Sequence, residues 1–135
     1  MATVAVTPRI LRKYLLTVDE DDYQAATESV LFTPSSSPQT WTGGDGETHS
    51  DTSPATWTVA IGYMQDWDTP GSLGEFLLAH EGEQVDLTFR PDATAGPSFT
   101  STVTVTPGAI GGSNGAWPTT TTTLPCTKPI LVPAA

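Results

Sequence analysis

Between residues 57 and 65 the chain alternates without a break. Trp57, Val59, Ile61 and Tyr63 occupy one set of positions, and Thr58, Ala60, Gly62 and Met64 the other. A period of two is the mark of a strand, because successive side chains leave a pleated backbone on opposite sides. The second face is small, so another layer can approach it closely. The pattern returns twice. Val85, Leu87 and Phe89 alternate with Asp86, Thr88 and Arg90, and Val103 and Val105 alternate with Thr102, Thr104 and Thr106. Residues 119–124 read as a further strand dominated by threonine. With 12 glycines and 12 prolines, which break helices, and many β-branched residues, which favour pleated surfaces, the 135-residue chain is expected to be mostly β. Its length supports one core and therefore one domain.

Residues 1–13 read as an arm. Pro8 interrupts a β-prone stretch, and three of the five basic residues, Arg9, Arg12 and Lys13, gather there. A basic arm on an acidic body suggests a contact between neighbouring copies, and a solvated, partly disordered terminus fits the residues equally well. A first strand is expected at 14–18 and a second at 23–32, separated by the acidic turn Asp19, Glu20, Asp21 and Asp22. Residues 33–55 are polar and rich in Pro and Gly, with Trp41 almost alone as a large apolar group, and read as a long loop with a functional purpose. An aromatic of that size in a polar segment is expected to bury against another surface. One short helix is announced by Ser72 with Glu75 three residues on, followed by Leu73, Phe76 and Leu77 at helical spacing and Gly82 as a stop. Residues 108–118 form a Gly-rich turn. The domain is expected to span 14–130, with 131–135 as a Pro-punctuated tail, and no repeat of fixed period is found.

A formal charge of −10, from 15 acidic against 5 basic residues, repels phosphates and removes the electrostatic term on which ordinary DNA binding depends. The single cysteine, Cys126, excludes an internal disulfide and leaves too few thiolates for a structural zinc site. The N-terminus carries no apolar run long enough for a signal peptide, and no 18-residue apolar stretch exists, so the product is expected to stay soluble where it is made, without membrane insertion.

No catalytic constellation emerges. An EF-hand loop starting at Asp19 requires Gly at its sixth position and Glu at its twelfth, where the chain has Gln24 and Val30. His80-Glu81 opens like a zinc-protease helix, but the second histidine is replaced by Gln84. Asp45, Glu47, His49 and Asp51 alternate and in an extended segment could turn toward one cation, although polar loops carry such residues for solubility alone. Asp66 and Asp68 fit turn and helix-start chemistry better than acid–base work. Neither a nucleophile elbow nor a phosphate-binding loop occurs. The expectation is a protein that is not an enzyme and needs neither metal nor cofactor.

Taken in order, Trp57, Val59, Ile61, Tyr63, Gln65 and Asp66, then Pro70, Ser72, Leu73, Leu77 and Gly82, then Phe89, Pro91, Val103, Val105 and Ile110-Gly111-Gly112, closing near Pro129, form a pattern. In a chain of this length and acidity it resembles the major tail tube protein of long non-contractile-tailed bacteriophages, particularly those of actinobacteria. The resemblance implies a β-sandwich or barrel-like tail tube domain with one short flanking α-helix and a long early loop. It further implies six-subunit rings stacked into a hollow tube, each subunit adding strands to one inner barrel. Such closure agrees with the residues, since alternating strands with polar faces need their edges paired.

The resemblance also implies a place and company: the virion tail, assembled in the host cytoplasm, beside a tape measure protein, a tail terminator and distal tail proteins. DNA passes through without specific binding, so acidity becomes useful at the lumen, although solubility explains it equally well. Asp86, Thr88, Thr102 and Thr104 are the lumen-facing candidates. The family's long loop between early strands reaches the adjacent ring, and residues 33–55 occupy the matching place, making Trp41, Asp45, Glu47 and His49 the ring-stacking candidates. Arg9, Arg12 and Lys13 form the candidate inter-subunit arm. Some relatives add an immunoglobulin-like decoration domain, for which no room is expected after the tube domain here. Two other readings stand beside this one: a tail-terminator or head-tail connector protein of the same fold, and a small carbohydrate-binding or adhesion module, for which Trp41, Trp67 and Trp117, but not the core-facing Trp57, could form a platform.

Overall fold

The alternating segment is a strand, β6 (Thr56–Met64), paired antiparallel along both edges: to β3 (Thr27–Ser35) with Val30 opposite Ile61, and to β9 (Thr119–Cys126) with Thr122 opposite Ile61. The computed structural model describes residues 2–133. One antiparallel sheet runs β2-β1-β7-β8-β9-β6-β3, where β1 is Leu15–Val18, β2 Asp21–Asp22, β7 Gln84–Arg90 and β8 Ser98–Thr104. A last strand, β10 (Ile130–Val132), also pairs with β8. The sheet curls over its inner face, so that side chains from opposite sides touch while no ladder joins β3 to β1 or β2. Tyr14 Oη lies 2.8 Å from Thr27 Oγ1, and the ring of Phe32 on β3 sits 6.3 Å from that of Phe89 on β7. The fold is thus mostly β, with a single helix among the described residues, in line with the composition.

The core follows from the alternation. Val59, Ile61 and Tyr63 meet Leu16, Val18, Leu87, Val103, Val105 and Leu124 inside the curl. Each fully buried aliphatic side chain contributes on the order of 2 kcal/mol through the water it no longer orders. The other face of β6 carries no second layer of this chain among the described residues, since its register neighbours Leu31, Thr121 and Thr123 are exposed.

The helix α1 (Leu73–Ala79) starts where the spacing places it. Ser72 Oγ accepts from the Glu75 backbone N–H at 3.4 Å, while Leu73 and Leu77 close one end of the core. The capping box is only half formed, because the Ser72 N–H donates to the Thr69 carbonyl. The indole of Trp67 lies on the helix at Gly74, where an added β-carbon would meet it at 3.2 Å.

The structure corrects three expectations. The second strand begins at Thr27, not Tyr23; Tyr23 is a buried residue before a turn, and its N–H donates to the Leu16 carbonyl. Residues 33–55 are not a structureless loop. β3 continues to Ser35, and then β4 (Pro38–Thr42) and β5 (Thr48–Thr52) form a separate two-stranded hairpin, Trp41 opposite His49. Both of its faces are exposed, so it has no apolar side to reveal by alternation. The segment 131–135 is not simply a tail, because Ile130, Leu131 and Val132 pair with Thr100, Phe99 and Ser98; Ala134 and Ala135 lie outside the described residues. Residues 2–13 have no strand or helix, and Met1 is outside the described residues.

The acidic turn joins β1 to β2 with Asp19 at φ 50° and Glu20 at φ 75°. Two successive positive φ values give the tight turn whose twist suits a hairpin, a turn that ordinarily uses Asn-Gly. A side chain in this region is strained by roughly 1 kcal/mol. Glu20→Gly is therefore expected to raise stability by about 0.5–1 kcal/mol, read as an upward shift of the urea midpoint with unchanged slope. A lowered midpoint would show that the turn carries no such strain.

Candidate assembly interface

The outer edge of β3 is the longest strand border left open. β3 is nine residues long and pairs only with β6, so the backbone groups facing away from β6 have no ladder partner among the described residues. Open borders recruit further strands unless they are short, charged or kinked. Here the protection is slight: Pro34 near one end and a bulge between Thr27 and Ser29 at the other. β10 presents a second, shorter border, with Ile130 and Leu131 exposed.

The four residues proposed for a lumen share one face. Asp86 and Thr102 are direct register partners, with Thr102 Oγ1 donating to Asp86 Oδ1 at 3.4 Å; Thr88 faces Thr100, and Thr104 faces Gln84. Because Leu87 and Val103 are buried, the alternation turns these four outward. Asp22, Thr17, Thr88, Thr100 and Ile130 follow in register across five strands, extending a polar, threonine-rich surface.

The hairpin brings together only part of its proposed set. Trp41 and His49 stack at 5.7 Å between ring centroids, and Trp41 remains 66% exposed. Asp45 Oδ1 turns back to accept from the Glu47 N–H at 3.0 Å, shaping the tip. Among the described residues no group of three or more acidic, histidine or cysteine side chains is placed to hold a metal ion. Trp41 thus fills no pocket of its own chain, and the hairpin's order comes from its ladder and the Thr42–Thr48 hydroxyl pair at 3.1 Å.

The arm is held at one point. Arg9 Nη1 donates to Asp92 Oδ2 at 3.1 Å, and the Lys13 carbonyl accepts from Ala93 N–H at 3.0 Å. The Thr94 hydroxyl and N–H, followed by the Arg9 guanidinium, hold the Asp92 carboxyl below the usual carboxylate range. Depression stabilises the folded state above the ordinary carboxylate pKa, and this is lost only as pH falls through the lowered value. The clamp on the arm therefore persists into mild acid. Arg12 and Lys13 are exposed.

One functional element escaped the sequence reading. Gln65 continues the inward positions of β6 and is buried, and a buried amide needs partners. Its Nε2 donates to the Gly111 carbonyl at 2.9 Å and its Oε1 accepts from the Gly111 N–H at 2.8 Å, while its own N–H donates to the Pro118 carbonyl at 2.9 Å. A single residue thus ties down both sides of the 108–118 loop. At the loop's root, Gly108 lies so close to Tyr63 that an added β-carbon would stand 2.8 Å from the hydroxyl. Gln65→Ala is expected to cost about 2 kcal/mol, by leaving the Gly111 groups unpartnered, and to speed hydrogen exchange selectively in 108–118. Unchanged exchange there would refute the tether. The inward parity of Gln65 was the available signal.

Burial raises the pKa of the Cys126 thiol, which suits a packing residue and not a nucleophile. Among the described residues no helix is long and apolar enough to cross a membrane. Neither the profiles of known protein families nor the curated proteins contain a match to this chain.

Proposed function

We propose that this chain is a self-assembling structural subunit that closes into six-membered rings, stacked as the hollow tail tube of a long-tailed bacteriophage, through which DNA passes unbound. The observation that carries the reading is the open nine-residue border of β3 at the end of a curled antiparallel sheet. Ring closure is the general means by which such borders are removed, each copy lending its border to the next.

Two further features support it. All 15 acidic residues follow the arm, where Arg90 and Lys128 are the only cations, so the body repels a nucleic acid while the arm's Arg9, Arg12 and Lys13 are attracted to a neighbouring body. The exposed hairpin with Trp41 at its side is a projection suited to an adjacent ring, and the face holding Asp86, Thr88, Thr102 and Thr104 offers a polar lining in which Arg90, at the end of β7, is the one cation of these two strands. Virion location and company with a tape measure protein, terminator and distal tail proteins follow from this role.

Negative-stain microscopy of concentrated protein tests it. Stacked rings or tubes of constant width are the expected result. A single ring that refuses to stack would favour a terminator or connector, and a protein monomeric at every concentration would sink the reading.

A further inference from the structure

The curled sheet is left open at one end, and an apolar cleft of about 350 Å³ lies there. Phe32, Trp57, Phe89 and Phe99, one from each of four strands, line it together with Leu11 of the arm, and Leu31 and Lys128 stand at its rim. Its volume is near the lower limit of ligand clefts, roughly 300 Å³, and so suits one or two side chains. At the far end of β6 lies the loop tethered by Gln65, which presents Trp117 82% exposed and Ile110 62% exposed. Eight residues of strand separate Trp57 from Gln65, a span of roughly 26 Å. A knob therefore stands at one end of the subunit and a socket at the other.

We propose that the 108–118 loop of one copy seats Trp117 in the aromatic cleft of a second copy, a head-to-tail contact that repeats along the assembly. The inference rests on the self-assembly reading and adds the pair of surfaces that meet. Opposite placement makes the contact heterologous, the kind that propagates without limit unless a ring closes it. Preorganisation favours it, because both sides of the loop are fixed before contact and little ordering entropy remains to be lost. The loop is uncharged, and Lys128 at the rim supplies a cation for the indole face. Leu11 of the chain's own arm already lines part of the cleft, so the incoming indole packs beside it. A buried indole covers only about 200 Å² or so, far below the roughly 1,200 Å² of a stable pairwise complex. Two isolated copies are thus not held by this contact alone, and it acts when many copies engage together.

Single-cysteine variants test the pairing. In a Cys126→Ser background, Ala116→Cys marks the knob and Leu31→Cys the rim. Oxidative cross-linking of the two variants mixed under assembling conditions is expected to give at least tenfold more dimer than either alone, and adding Trp117→Ala to the Ala116→Cys variant is expected to abolish the gain. A mixture that polymerises without preferential cross-linking, or whose cross-link survives Trp117→Ala, overturns the knob-and-socket contact and leaves self-assembly standing. A mixture that stays monomeric overturns both.

Discussion

Ile61→Ala is expected to lower the stability of the isolated subunit by about 3–5 kcal/mol, out of the roughly 5–15 kcal/mol that a folded domain ordinarily possesses. Ile61 is fully buried and lies mid-strand, where β6 is paired on both sides, with Val30 and Thr122 as its register partners. Truncation removes apolar contacts and leaves a cavity that strands pinned along both borders cannot close. Thermal unfolding is expected to show the midpoint lower by on the order of 10–18 °C. Leu131→Ala, at an exposed position of β10, serves as the control and is expected to shift the subunit's midpoint by less than about 2 °C. Equal shifts for the two variants would mean that the core is not organised around β6.

Trp41→Ala has the largest effect expected on assembly. The side chain belongs to a hairpin outside the main sheet and touches no core residue's cluster, so the subunit's urea midpoint is expected to stay within about 0.5 kcal/mol of the parent. An aromatic that becomes buried between copies costs roughly 2 kcal/mol or more when removed. On the proposed ring that loss is repeated at every subunit, so tubes should vanish at concentrations where the parent forms them. Sedimentation and microscopy of matched samples measure the difference. Destabilisation of the subunit itself, or tubes of undiminished length, would remove Trp41 from the stacking surface.

The strands most legible in the sequence are those with one buried side. β6, β7 and β8 pair Val59, Leu87 and Val103 inward with polar or small residues outward, and that asymmetry is what alternation records. β4 and β5 have no inside, so Gln39, Thr40, Ser50 and Asp51 give no periodic signal, and the segment reads as a loop although its ladder is complete. β10 was hidden for another reason. It is three residues between prolines, and its pairing depends on β8, some thirty positions away. The Ser72 cap was legible because capping is local chemistry, whereas the Gln65 tether joins residues 46 positions apart and only its inward parity hinted at it. Of the proposed site, register unites Asp86 with Thr102 and Trp41 with His49, while the side chains of Arg12 and Lys13 stay exposed.

Cys126 faces two strands at once, Trp57 on β6 and Val103 on β8, because the chain there leaves one partner and takes up the other. From that point Thr127 N–H donates to the Thr102 carbonyl, and β10 carries the pairing on to Ser98. One continuous length of backbone thus rivets both walls of the molecule. Traction along it loads the rungs of both ladders in shear, many together instead of one after another.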